Sequence, residues 1–184
     1  MKYKFLIFGT LIVLLNACKK SAIVNPGDKV IPITTSTSFY PMQIGNYWKT
    51  DAQNYMEIQD TVRINGKLYY KFHYATGGDV IGLEYLRIDE NQYLVEANPN
   101  DTSLNYQANF GANVNDTFHS LNIQNINNHL IKVTYKSATK MTFQIDVFNN
   151  NFASAQTIAN TYYKGIGPDG NYTTIKINGI VYNY

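Results

Sequence analysis

The stretch Glu57-Ile58-Gln59-Asp60-Thr61-Val62-Arg63-Ile64-Asn65-Gly66-Lys67-Leu68-Tyr69-Tyr70-Lys71-Phe72-His73-Tyr74-Ala75 decides the fold. Two runs rich in β-branched and aromatic residues flank Asn65-Gly66. Both residues of that pair tolerate positive φ, so they form the two-residue turn whose twist matches that of paired strands. In the second run Leu68, Tyr70, Phe72 and Tyr74 alternate with Lys67, Tyr69, Lys71 and His73. A period of two is the pattern of a strand with one face on a core and the other in water.

The same grammar continues outward. Thr76-Gly77-Gly78-Asp79 leads into a strand over 80–89, and Glu90-Asn91 into one over 92–97. Ile131, Val133 and Tyr135 alternate with Lys132, Thr134 and Lys136; Met141, Phe143, Ile145 and Val147 alternate with Thr142, Gln144 and Asp146. Ser137-Ala138-Thr139 joins these two runs. A strand follows over 171–177, and Asn178-Gly179 precedes the last, over 180–184. No stretch shows the 3.6-residue period of an amphipathic helix over three turns. A short turn is expected near 42–46 and irregular structure through 98–128. No period of 20–50 residues repeats, which excludes a solenoid. The expectation is an all-β domain of eight to ten antiparallel strands. It is read as a meander curled into a barrel or half-barrel, with a β-sandwich as the alternative.

Composition agrees. The chain has 184 residues, 14% of them aromatic and only 15% charged, with 16 Tyr and 9 Phe against one Trp. Average proteins carry about 25% charged residues, so a disordered polyelectrolyte and a coiled coil are excluded. The formal charge is +2, but losing Lys2 and Lys4 with a leader leaves 13 of the 15 bases against 13 acids. A neutral chain has no long-range attraction for nucleic acid or anionic lipid, and nucleic-acid binding is set aside.

The amino terminus reads as an address. Lys2 and Lys4 precede an apolar run over 5–15 broken only by Gly9 and Thr10. As a helix this run spans roughly 16 Å at 1.5 Å per residue, half of a hydrocarbon core of about 30 Å. It is therefore expected to be a signal peptide, residues 1–17, and not a membrane span. Leu15-Asn16-Ala17-Cys18 stands at its end, and Cys18 is the only cysteine. These four residues resemble the lipobox of bacterial lipoproteins. The resemblance implies lipidation of the Cys18 sulfur, cleavage before it and acylation of the new amine, which consumes the thiol. Residues 18–38 then read as a tether, since Pro26 and Pro32 block a helix and the Thr/Ser tail has nothing to bury. Residues 39–184 form the single β domain.

Phe39-Tyr40-Pro41-Met42-Gln43-Ile44-Gly45-Asn46-Tyr47-Trp48 resembles the opening of a group of Bacteroidota lipoproteins that begin aromatic-Pro-Leu-x-x-Gly-Asn-x-Trp, with Met42 in place of the usual Leu. Their chains close with a Gly-x-Gly element before the last strands, matched by Gly165-Ile166-Gly167. The Cys-Lys-Lys start is similar to the same group, in which an acidic cluster just after the cysteine tends to mark surface export. The first acid here is Asp28. The resemblance thus implies the outer membrane facing the periplasm, with the cell surface as the alternative, and supports architecture and address more than activity. Asp60-Thr61-Val62 resembles the short O-glycosylation sequence of Bacteroidota; its plain reading is an exposed strand residue.

Candidate chemistry is sparse. Gly165-Ile166-Gly167-Pro168-Asp169-Gly170 matches G-x-G-x-x-G literally, but that motif needs a helix N-terminus to receive the pyrophosphate. Here a strand pattern follows, so the match is read as a turn. His73, His119 and His129 are scattered without ligand spacing, and His73 and His129 are expected at strand edges facing water. The oxygen-rich runs 98–101 and 113–116 are read as Asx turns. No Gly-x-Ser-x-Gly elbow is present. The functional expectation is a lipid-anchored, non-enzymatic binding or carrier protein without cofactor or metal. Its ligand, apolar or glycan, would sit in a hollow lined by Trp48, Tyr70, Phe72 and Tyr74. Alternatives are an accessory protein that contacts an envelope partner and a glycan or ester hydrolase with two carboxylates from distant strands.

Overall fold

The computed structural model describes residues 36–121, 129–147 and 156–184. The leader, Cys18 and the tether up to residue 35 lie outside the described residues. Asn65 (φ 49°) and Gly66 (φ 76°) both adopt left-handed conformations and join β2 (Tyr55–Ile64) to β3 (Lys67–Thr76), as the paired runs demand. Around this hairpin stand β1 (Tyr47–Lys49), β4 (Asp79–Ile88), β5 (Tyr93–Ala97) and β6 (Leu104–Asn109). The chain end adds β12 (Thr174–Ile177) and β13 (Ile180–Asn183), joined by a second Asn-Gly turn. Together they make an eight-stranded sheet in the order β13-β12-β1-β2-β3-β4-β5-β6.

A second sheet holds β7 (Thr117–His119), β8 (Leu130–Lys136), β9 (Lys140–Val147), β10 (Gln156–Tyr163) and β11 (Gly167–Pro168), in the order β11-β10-β9-β8-β7. Every pairing is antiparallel. Among the described residues there is no helix. The two sheets remain open, as in a sandwich or half-barrel, so the closed-barrel form of the expectation is corrected. At one seam they nearly meet: Asn105 of β6 bridges Leu121, and the Tyr106 amide donates to the Ser120 carbonyl at 2.6 Å. The stretch expected to be irregular therefore carries β6 and β7.

One apolar core joins the sheets. Trp48, Ile58, Phe72, Leu86, Leu94 and Ile175 from the large sheet bury against Ile131, Val133, Met141, Phe143 and Tyr162 from the small one. Strict alternation fails where strands carry bulges. The register shifts between Ile58 and Asp60, so an extra residue turns the rest of β2 over. Met56 and Ile58 face the main core, whereas Val62 and Ile64 join Tyr69, Tyr85, Ala97 and Leu104 in a smaller cluster. The face of β3 expected to be wet is therefore partly dry. Tyr69 is 2% exposed beneath the Arg87 guanidinium, 5.5 Å from its ring centroid, while Leu68, expected inside, is 45% exposed. A second shift between Val133 and Tyr135 likewise leaves Tyr135 in water.

The segment 39–48 becomes legible in this frame. Asn46 is fully buried; its Nδ2 donates to the Pro41 carbonyl at 3.0 Å and its Oδ1 accepts from the Asn178 amide at 2.8 Å. It thus ties the entry of the domain to its last turn. Trp48 is fully buried and its Nε1 donates to the Ile166 carbonyl at 2.7 Å. Gly167 (φ 113°) lies against the indole, and a Cβ there would stand 3.1 Å from it. The aromatic opening and the Gly-x-Gly element, far apart in sequence, are the two halves of one contact. The run 165–170 starts in a turn, as expected, and continues into the two-residue strand β11 rather than into a helix.

Candidate functional site

Between the inner faces of the sheets lies a cavity of about 600 Å³. Its aromatic wall comes from four separate places. Tyr40 precedes β1, Tyr74 lies on β3, Tyr162 on β10, and Tyr172 in the segment before β12. Met56, Ile131 and Ile145 add aliphatic surface, and Thr50, Asn54 and Tyr55 stand at the more exposed end. The polar lining is Glu84, Asn105, Gln107, Ser120, His129 and Asn160.

Glu84 anchors the polar side. Tyr74 Oη donates to Glu84 Oε2 at 2.7 Å. Glu96, across from Leu86 on the next strand, accepts from Asn105 Nδ2 at 2.9 Å and Gln107 Nε2 at 3.1 Å. Glu96 lines a smaller cavity of about 400 Å³, which shares Asn105, Ser120 and His129 with the larger one. Burial raises the Glu84 carboxyl above the ordinary glutamate value; the Tyr74 hydrogen bond opposes this and Glu96 adds to it.

The phenols respond in the same way. Burial pushes Tyr40 far up, reinforced by Tyr74, Tyr162, Tyr172 and Glu84. Tyr74 and Tyr162 rise for the same first reason, with Glu84 next in each, and Tyr172 rises to about 12 through burial and Asp169. All four hydroxyls are therefore protonated at neutral pH. Tyr40 Oη spends its proton on Met56 Sδ at 3.2 Å. Tyr162 is 4% exposed and makes no side-chain hydrogen bond among the described residues.

Of the four residues expected to line a hollow, the structure brings two to it. Tyr74 contributes a hydroxyl. Trp48 borders the cavity, but Tyr40 meets its ring edge-on at 5.6 Å, Phe72 stacks at 6.4 Å and Gly167 closes on it. Its indole is thus a fixed part of the core. Phe72, fully buried, packs behind Tyr40 and Trp48, and Tyr70 packs half-buried against the same core; neither is among the residues that line the cavity. His129 also departs from expectation. It is half-buried at the seam, its amide donates to Ser120 Oγ at 2.8 Å, and its Nδ1 is buried with no partner among the described residues. His119 is exposed.

Sequence reasoning missed Tyr40, Glu84, Tyr162 and Tyr172. For Glu84 a signal exists: it stands in phase with Leu86 and Ile88 on β4, an acid on the apolar face of a strand. Tyr162 has none, because β10 does not alternate cleanly. Among the described residues, no three His, Cys, Asp or Glu side chains are grouped to hold a metal ion. No protein-family model, curated protein or solved structure matches this chain.

Proposed function

We propose that this chain is an envelope lipoprotein, anchored through Cys18, whose β domain binds a small organic ligand between its sheets without transforming it. The observation that carries the reading is the cavity itself: about 600 Å³, walled by Tyr40, Tyr74, Tyr162 and Tyr172 and holding the Glu84 carboxyl. Ligand sites span about 300–1,000 Å³ and combine a mainly apolar wall with a few convergent polar groups. An aromatic wall with one polar side suits a molecule with apolar surface and a polar end, which includes apolar carriers' cargo and glycans alike. The anchor rests on the amino-terminal pattern: two or more long acyl chains, at about 0.8 kcal/mol per buried methylene, hold a protein durably to a membrane. The first acid at Asp28 supports the outer membrane facing the periplasm.

The test is extraction of the full chain, purified from its producing cells, followed by mass spectrometry of the organic phase. A single class of small molecule should copurify with the wild type and be lost from Asn160→Trp, which places an indole in the cavity. Equal recovery from both proteins, or none from either, would sink the reading. A second reading has its own support. Val80, Ile81 and Leu83, near the turn between β3 and β4, are 54%, 68% and 46% exposed. Such clustered apolar exposure favours an accessory role in which this hairpin contacts an envelope protein.

A further inference from the structure

We infer that the ligand carries a positive charge: an organic ammonium group seated among Tyr40, Tyr74, Tyr162 and Tyr172, with Glu84 as its counter-charge. This deepens the binding reading and rests on it. Among the described residues the lining contains one carboxylate, Glu84, and no lysine or arginine. Arg87, on the same strand, serves the opposite face, where it covers Tyr69 and pairs with Glu90 at 3.4 Å. Glu84 thus has hydrogen-bond support from Tyr74 but no cationic partner among the described residues, and Glu96 on the neighbouring strand adds to the negative potential. A half-buried carboxylate without a counter-ion is costly; a cationic ligand supplies the missing charge.

The walls suit the same guest. Aromatic rings present negative faces, and cages of Tyr and Trp around a carboxylate recognise quaternary ammonium groups through cation–π attraction, strongest where water is excluded. Tyr40 and Tyr162 are both buried, with ring centroids 6.0 Å apart. The Tyr162 hydroxyl is left without a partner among the described residues. An anionic ligand finds no lysine or arginine among the described lining residues; the one basic side chain there, His129, lies at the seam of the sheets beside Ser120. A sugar finds no open indole, since Trp48 is packed on both sides and its Nε1 is committed to Ile166.

The experiment uses the full chain in a polyoxyethylene detergent and three probes: choline, its uncharged isostere 3,3-dimethylbutan-1-ol, and maltotriose. Binding is read by calorimetry and by the fluorescence of Trp48. Choline should bind at least tenfold more tightly than the isostere. Glu84→Gln, whose side-chain oxygen still accepts from Tyr74, should abolish that preference. Should Glu84→Gln fail to fold, the wild-type comparison of choline with its isostere still decides the matter. The inference is overturned if choline binds no better than the isostere, or if its advantage survives in Glu84→Gln. Binding of the isostere or maltotriose without choline would remove the charge and leave the binding reading intact. Failure of all three, with no copurifying molecule, would remove both.

Discussion

Replacing Gly167 by alanine tests the contact that closes the domain. At φ 113° an L side chain is strained whatever the space around it, at a cost of about 1–3 kcal/mol. The new methyl would also stand 3.1 Å from both Cζ2 and Nε1 of Trp48. The indole cannot retreat, because its Nε1 holds the Ile166 carbonyl at 2.7 Å and Tyr40 and Phe72 pack against it. Overpacking of this kind costs a further 1–3 kcal/mol or so. The expected loss is thus roughly 2–6 kcal/mol, a large share of the 5–15 kcal/mol typical of domains. Urea unfolding followed by circular dichroism should show a lower midpoint with an unchanged slope.

Trp48→Phe separates the two parts of that loss. Alone it should cost about 1–3 kcal/mol, because it leaves the buried Ile166 carbonyl without its donor. In the Gly167→Ala background it relieves the crowding but not the backbone strain. The double variant should therefore be more stable than the sum of the single changes predicts, by about 1–3 kcal/mol. Additivity of the two changes, or a Gly167→Ala protein within about 0.5 kcal/mol of wild type, would refute the reasoning.

Three further outcomes follow from other parts of the molecule. Asn46→Ala should destabilise the domain by roughly 2–4 kcal/mol in urea titration, since the Pro41 carbonyl and the Asn178 amide both lose their partner. Glu84→Gln should raise the thermal midpoint at pH 7. The Glu84 pKa is raised in the fold, first by burial, so the folded state holds the proton more tightly than the unfolded one. Wild-type stability therefore falls as pH rises from the unfolded value of about 4.5 through the folded one, and the variant's advantage should vanish below that window. A wild type that instead gains on Glu84→Gln as pH rises would contradict the raised carboxyl. Cys18→Ser should move the chain from the membrane to the aqueous fraction and abolish fatty-acid labelling; retention in the membrane would remove the anchor.

The hairpins were legible because Asn-Gly turns and two-residue alternation are local properties. The 65–66 and 178–179 turns and the buried phase of Met141 and Phe143 needed no knowledge of the partner sheet. What escaped was set by cross-strand events. The bulge at Gln59 costs one residue and exchanges the faces of Val62 and Ile64, and no composition signal marks it. The strand over 156–163 carries Thr, Ala and Asn where alternation would need apolar residues, so its pairing with β9 creates a regularity that its own sequence lacks. The cavity is more hidden still. Tyr40, Glu84, Tyr162 and Tyr172 meet only when both sheets face each other, and in a chain with 16 tyrosines none stands out. Trp48 drew attention as the one tryptophan, yet its role is to lock Gly167 and Ile166 in place.

The central claim is that the space between the sheets holds a guest. Isotope-filtered nuclear Overhauser spectra of the labelled full chain, carrying whatever unlabelled molecule copurifies with it, test this directly. Cross-peaks should run from that molecule to the ring protons of Tyr74, Tyr162 and Tyr172. Their absence, or cross-peaks confined to Val80, Ile81 and Leu83, would contradict a site between the sheets and leave the exposed hairpin as the working surface.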